Sequence, residues 1–161
     1  MYKSVNEPNT FNFHDSELLH VAVQGQDMLW TVDWVGVRPE NTAHPSEQEL
    51  RTEKMQLTFR NFRVARIKIY GCSIHDAQGK IVQRIPDREL TKPQIQQVLA
   101  RLQNYENWSA HLHYGGGSIT ENGMCIEMVI NEEHTKHGIY LMVIRCDTFT
   151  AEWHQYSNVQ W

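Results

Sequence analysis

Nine histidines invite a search for metal ligands. His111 and His113 stand two apart, which puts both imidazoles on one face of a strand and offers half of a metal site. A third ligand would come from the last strand, from His154 or Glu152. HExxH is absent, and His134 and His137 sit among charged turn residues. The competing reading of His111 and His113 is an ordinary exposed or hydrogen-bonded pair. For nucleophilic chemistry the visible residues are Ser118, just after Gly115-Gly116-Gly117, and Cys125. Neither has a base at an interpretable spacing, and Gly-x-Ser-x-Gly is absent. Acid–base pairs are available in Asp15 with His14 and Glu152 with His154, but such pairs arise by chance in a chain of this length. The three glycines suit a hairpin end, a flexible loop or an anion-holding nest. They lack the lysine and following helix of a nucleotide phosphate loop. No catalytic residue, metal or cofactor is therefore assigned.

The elements that would position these residues are mostly strands. Leu19, Val21 and Val23 alternate with His20, Ala22 and Gln24, then Gly25-Gln26-Asp27 reads as a turn. Met28 to Val37 alternates again, with Trp30, Val32 and Trp34 on one side, so Phe13 to Val37 predicts a hairpin at the centre of a sheet. Met55, Leu57 and Phe59 face inward. The phase changes near Arg60 to Arg63, which fits a bulge or a tight connection. Asp76-Ala77-Gln78-Gly79 is a turn between short segments. Trp108, Ala110, Leu112 and Tyr114 alternate, as do Met124 to Ile130 and Phe149 to Trp153. Ile139 to Cys146 is almost continuously apolar and reads as a central strand covered on both faces. Tyr156 and Trp161 are expected to be tucked in.

Thr91 to Asn104 is the clear helix. Thr91 can cap it, Pro93 is tolerated in its first turn, and Gln94 completes a capping box. Ile95, Val98, Leu99 and Leu102 make its apolar stripe. Helical crossovers between strands are missing, which excludes a doubly wound fold. The expectation is an α+β fold: a mainly antiparallel sheet of about eight or nine strands with one covering amphipathic helix. The 161 residues read as a single globular domain with residues 1–12 as a loosely held arm.

Composition narrows the function classes. Hydrophobic residues make up 40% of the chain, enough for a core, and no apolar run is long enough to cross a membrane as a helix. The opening residues lack an apolar signal core, and Cys72, Cys125 and Cys146 are odd in number and far apart. Both point to the cytoplasm, with Cys125 and Cys146 as buried small hydrophobes. The net charge of -4 weighs against nucleic acid, although Arg60, Phe62, Arg66 and Tyr70 could be read as an RNA platform. Residues 1–50 carry eight acids and two bases. Residues 51–68 carry six bases against Glu53. The plain reading of those bases is an outward face paired with acids such as Asp33; the second is a patch for an anion or acidic partner. The long loop from Arg38 to Arg51, with Pro39 and Pro45, is a candidate contact surface, and Pro45 to Leu50 could add a helical turn.

Phe13-His14-Asp15, running through Ser16-Glu17-Leu18-Leu19 into an alternating hairpin, resembles a group of small bacterial β-rich proteins. Some of these are assigned as immunity proteins in polymorphic-toxin systems. In that group the opening is followed by strand, turn and strand, as over Leu18 to Val37. Met55 to Phe59 is similar to a later strand of the group, and Phe149 to Tyr156 to its closing aromatic strand. The helix and Gly115 to Gly117 depart from the pattern. The resemblance implies no catalytic residue. It implies a non-catalytic protein that binds and neutralises a cognate toxin. From charge and hydropathy the partner is neither nucleic acid nor membrane, and the chain is expected to be a monomer or small homo-oligomer. A basic toxin would suit acids on an exposed loop, namely Glu40, Glu47 and Glu49, while Phe13, His14 and Asp15 read as a structural motif. The alternatives are a small metal-dependent or hydrolytic enzyme gathering His111, His113 and His154, and a structural oligomer subunit joined through sheet edges.

Overall fold

The structure, a computed structural model, describes residues 1–104, 110–132 and 138–157. The chain opens with β1 (Tyr2–Val5), a short 3-10 helix (Pro8–Thr10) and β2 (Phe11–Asn12). β3 (Ser16–Gln24) and β4 (Asp27–Asp33) form the expected hairpin around Gly25, whose φ is 63°. β5 (Gly36–Val37) and β6 (Leu50–Arg51) flank the long loop. Next come β7 (Met55–Arg60), β8 (Arg63–Ile69), β9 (Cys72–His75), β10 (Ile81–Ile85) and β11 (Arg88–Glu89). The helix α1 (Lys92–Gln103) precedes β12 (Ala110–Thr120), β13 (Gly123–Glu132), β14 (Gly138–Cys146) and β15 (Thr148–Trp153).

The α+β class holds, with more strands than the pattern predicts. Ten strands make one sheet in the order β1-β15-β7-β4-β3-β12-β13-β14-β8-β11, and every pairing is antiparallel. β2, β5 and β6 form a small second sheet, and β9 and β10 pair only with each other. Two-residue strands such as β5 and β11 are too short to show a period in sequence.

Connectivity forces this sheet to curl. β7 and β8 lie six places apart in the strand order, yet only Asn61 and Phe62 join them. At about 4.8 Å per strand a flat sheet would separate them by roughly 29 Å, whereas two linking residues reach about 11 Å. β14 and β15 are also six places apart and are joined by Asp147 alone. Both crossings lie side by side, with the Asp147 N–H donating to the Arg60 carbonyl at 2.9 Å. Asn61 makes its turn at a φ of 50°, so the phase change expected here is a tight connection. A bulge follows it at Ala65, the extra residue between Val64 and Arg66 against β14.

The concave face holds the core. Leu18, Trp30, Leu57, Phe59, Phe149 and Trp153 from one half of the sheet meet Ile67, Ile126, Met128, Met142 and Ile144 from the other. Ile95, Val98, Leu99 and Leu102 of α1 belong to the same core. Thr91 and Gln94 act as expected, the Thr91 N–H donating to the Gln94 Oε1 at 2.9 Å.

Several local expectations are corrected. Residues 1–12 are not a loose arm: β1 pairs with β15, Ser4 and Pro8 are buried, and Phe11 sits in the core. Trp34 does not continue the face of Trp30 and Val32. It leaves the strand at a φ of 64°, its N–H held by Asp33. Leu19 and His113 are bulge residues, so each shifts the alternation that follows it. Beyond His113, Tyr114 faces outward and is exposed, while Gly115 turns inward. Pro45 to Leu50 forms bends rather than a helical turn. The outward face of β14 is not fully covered: Ile139 and Arg145 are exposed and Leu141 and Val143 half-buried. Cys146 is buried as expected, but Cys125 is only half-buried. Tyr156 is tucked against Tyr2 and Trp153. Trp108, His134, His137 and Trp161 lie outside the described residues.

Candidate functional site

β9 and β10 form an arm that leaves the edge of the main sheet. β8 and β11 pair through Ile69 and Arg88, and the same ribbon then continues past Gly71 and Pro86 as β9 and β10. At its base Gly71 has no room for a side chain, because an added Cβ would strike the Ile85 carbonyl oxygen. The Gly71 N–H donates to the Asp87 carboxylate at 2.8 Å. At the tip Asp76 accepts from the N–H groups of Gln78 and Lys80 and donates its own N–H to the Lys80 carbonyl, with Gly79 at a φ of 81°. A strand of this length reaches about 17 Å. All nine strand residues of the arm are exposed, and Ile74, Ile81, Val82 and Ile85 are 40–60% exposed. An isolated two-stranded hairpin is marginal in water. The register puts Ile74 and Ile85 on one face and Ile81 on the other, with Val82 at the bulge, so this ribbon exposes aliphatic side chains on both faces, and exposed apolar surface of that kind marks a contact surface. Periodicity in Ile74 to Ile85 shows the strands; nothing in it shows that the core lies elsewhere.

The loop from Arg38 to Leu50 is held from within. Asn41 is buried and donates to the Ser4 Oγ at 2.9 Å and the Thr10 Oγ1 at 2.7 Å. Glu7 accepts from the Ser4 and Thr42 hydroxyls. The His44 ring bridges the Tyr156 hydroxyl at 2.8 Å and the Gln48 carbonyl at 2.7 Å. Glu40 and Glu47 are exposed. Glu49 differs from them: its Oε1 accepts from the Asn12 Nδ2 at 2.9 Å and lies 4.0 Å from Arg51. The loop thus offers two free-standing carboxylates and one that braces β2 against β6.

Phe13, His14 and Asp15 divide their roles. Phe13 is in the core, packed near Phe11 and over Gly115. His14 and Asp15 stand on an exposed turn, the His14 Nδ1 being 2.9 Å from the Asp15 Oδ2. Asp15 adopts a φ of 63°, a conformation its short polar side chain tolerates. Arg51 locks the turn by donating to the carbonyls of His14 at 3.1 Å and Trp34 at 2.9 Å.

The other candidates do not converge. His111 and His113 are on β12, and His154 follows β15, four places away in the sheet. The His113 bulge also breaks the shared face expected of the pair. Glu152 is bound to Lys3 at 2.8 Å, not to His154. Among the described residues no cluster of His, Cys, Asp or Glu has metal-binding geometry. Gly115 to Gly117 is neither a loop nor a nest but the middle of β12. An added Cβ at Gly115 would strike Phe13, and one at Gly117 would strike the Cys125 carbonyl. The Asn9 carboxamide pairs with the Gly117 backbone in both directions, at 2.7 and 2.9 Å. The glycines let the N-terminal segment lie flat on the strand.

One buried charged group was not visible in the sequence. Glu132 of β13 is fully buried and accepts from the Arg101 Nη2 of α1, at 2.6 Å to its nearer oxygen, and from the Tyr140 hydroxyl at 2.7 Å. Desolvation, then the Glu132 charge, pushes the Tyr140 hydroxyl well above its usual pKa. No helix among the described residues is long and apolar enough to cross a membrane. The chain matches no family model, no curated protein and no solved structure.

Proposed function

We propose that this chain is a non-catalytic protein-binding module whose partner docks on the β9–β10 arm. The single observation that carries this reading is the arm itself: a rigid-tipped ribbon with four aliphatic side chains in water. Burying such side chains is worth roughly 1.5–3 kcal/mol each, and a partner is what would bury them. The resemblance of the Phe13-His14-Asp15 opening supports the narrower reading, an immunity protein that neutralises a cognate toxin. Glu40 and Glu47, exposed on the braced loop, are the acids that would steer a basic toxin.

The test is recovery of the partner from the native host by untagged purification and mass spectrometry. Wild type is compared with Ile74→Ser/Val82→Ser and with Glu40→Ala/Glu47→Ala. One stoichiometric partner, lost at least tenfold in the arm variant, supports the reading, and inhibition of that partner by the purified chain makes it a toxin. Equal recovery by the arm variant removes the arm from the interface. Retained affinity and salt dependence in the acid variant removes the loop.

A further inference from the structure

The two crossings that curl the sheet enclose a cleft of about 700 Å³ between the Asn61 turn, the Asp147 turn and the β12–β13 hairpin. Its side chains form a cross-strand row on the convex face. Ser118 of β12 pairs with Cys125 of β13, Cys125 with Arg145 of β14, and Arg145 with Arg63 of β8. The last pair sets two arginines at directly opposite positions of neighbouring strands, and like charges so placed are destabilising unless an anion offsets them.

The neighbouring cations on β8 have their anions. Arg66 contacts the Glu89 carboxylate at 3.0 Å and Lys68 the Asp87 carboxylate at 3.4 Å. Those acids come from β11 and the segment before it, not from Asp33 as the charge pattern suggests. Arg63 and Arg145 are exposed, and neither has an acidic partner among the described residues. Asp147 lines the same cleft with its charge intact, its Oδ2 held toward the Asn61 turn by accepting from the Asn61 Nδ2 at 3.0 Å. Glu121 also lines the cleft, from the hairpin turn, so the two acids of the cleft stand on separate turns while its two arginines share one cross-strand pair.

We propose that this cleft binds a phosphate dianion, with Arg63 and Arg145 as the paired donors. Two adjacent guanidiniums match two negative charges on one tetrahedral group, and each fork can engage its oxygens in a bidentate manner. A carboxylate carries half that charge. Ser118 at the far end of the row adds a hydroxyl, and Phe62 and Met124 give the cleft an apolar wall. That wall fits the organic part of a monoester, and the volume lies in the range of small-molecule sites.

Amide chemical-shift titrations with inorganic phosphate, phenyl phosphate and acetate at constant ionic strength test the assignment. Saturable shifts centred on Arg63, Cys125 and Arg145 are expected with the phosphates. Arg63→Gln and Arg145→Gln should each weaken binding at least tenfold, and Arg66→Gln, whose cation already has Glu89, should leave it within twofold. Melting of the ligand-free variants checks folding: losing one of two opposed charges should not lower Tm. Tighter binding of phenyl phosphate assigns an organic monoester, and equal binding assigns free phosphate. Absence of saturable shifts, equal affinity for acetate, or unchanged affinity in a folded Arg63→Gln or Arg145→Gln overturns the proposal.

Discussion

Arg101 and Glu132 tie the helix to the sheet interior, and their unequal burial makes them unequal under mutation. Glu132 is 0% exposed, while the Arg101 side chain is 30% exposed. Arg101→Met leaves a desolvated carboxylate without its guanidinium, which costs about 3–5 kcal/mol. Glu132→Gln leaves a cation that can turn to water, so its cost should be smaller. Urea unfolding of both variants checks this; equal losses, or under about 1 kcal/mol for Arg101→Met, would refute the asymmetry. The pair was hidden because Glu132 reads as the polar end of an apolar strand. Phe13-His14-Asp15 was only partly legible for a similar reason. The triplet is continuous in sequence, but the left-handed turn at Asp15 sends Phe13 inward and the two polar residues outward. Gly115 to Gly117 does not read as strand in the sequence because the segment that needs its small size is remote: Asn9 is 108 residues away from Gly117.

At the scale of elements, legibility followed period. The α1 stripe, the β7 stripe and the alternation of β13 and β15 all stand where the pattern puts them, because each is long and uninterrupted. Bulges defeat the same reading. One extra residue at Leu19, Ala65, Val82 or His113 inverts every side chain beyond it, and no local residue type announces it. The helix supplies the cleanest test. Leu99 lies in the core and Gln96 of the same helix is exposed. Leu99→Asp removes about 1.5–3 kcal/mol of burial and adds a desolvated carboxylate, so a loss of at least about 3 kcal/mol is expected. Gln96→Asp should stay within about 0.5 kcal/mol. Thermal melting that ranked the two alike would displace α1 from the core face.

For the whole molecule, three weak acids stand at packed positions of the curled sheet, and burial holds each protonated to a higher pH than in the unfolded chain. The Cys146 thiol stands at the β14–β15 crossing, its pKa pushed to about 11 chiefly by desolvation and further by Asp147. Tyr156 clasps Tyr2 and His44 at the N-terminal edge, with its hydroxyl pushed to about 12 chiefly by desolvation. Tyr140 stands beneath the helix, raised well above 10.0. In all three the folded state holds its proton more tightly than the unfolded chain does. Stability is therefore complete below the unfolded values of 9.0 and 10.0 and falls as pH rises toward the folded ones. Cys146 should begin the loss between pH 9.0 and about 11, and Tyr156 should extend it between 10.0 and about 12. Tm followed from pH 8 to 11.5 should be level at first and then decline, with Cys146→Ala delaying the onset. A wild-type Tm that stayed level through pH 11 would mean that the Cys146 thiol ionises in the fold as easily as in the unfolded chain, and that its burial does not contribute to stability in this way.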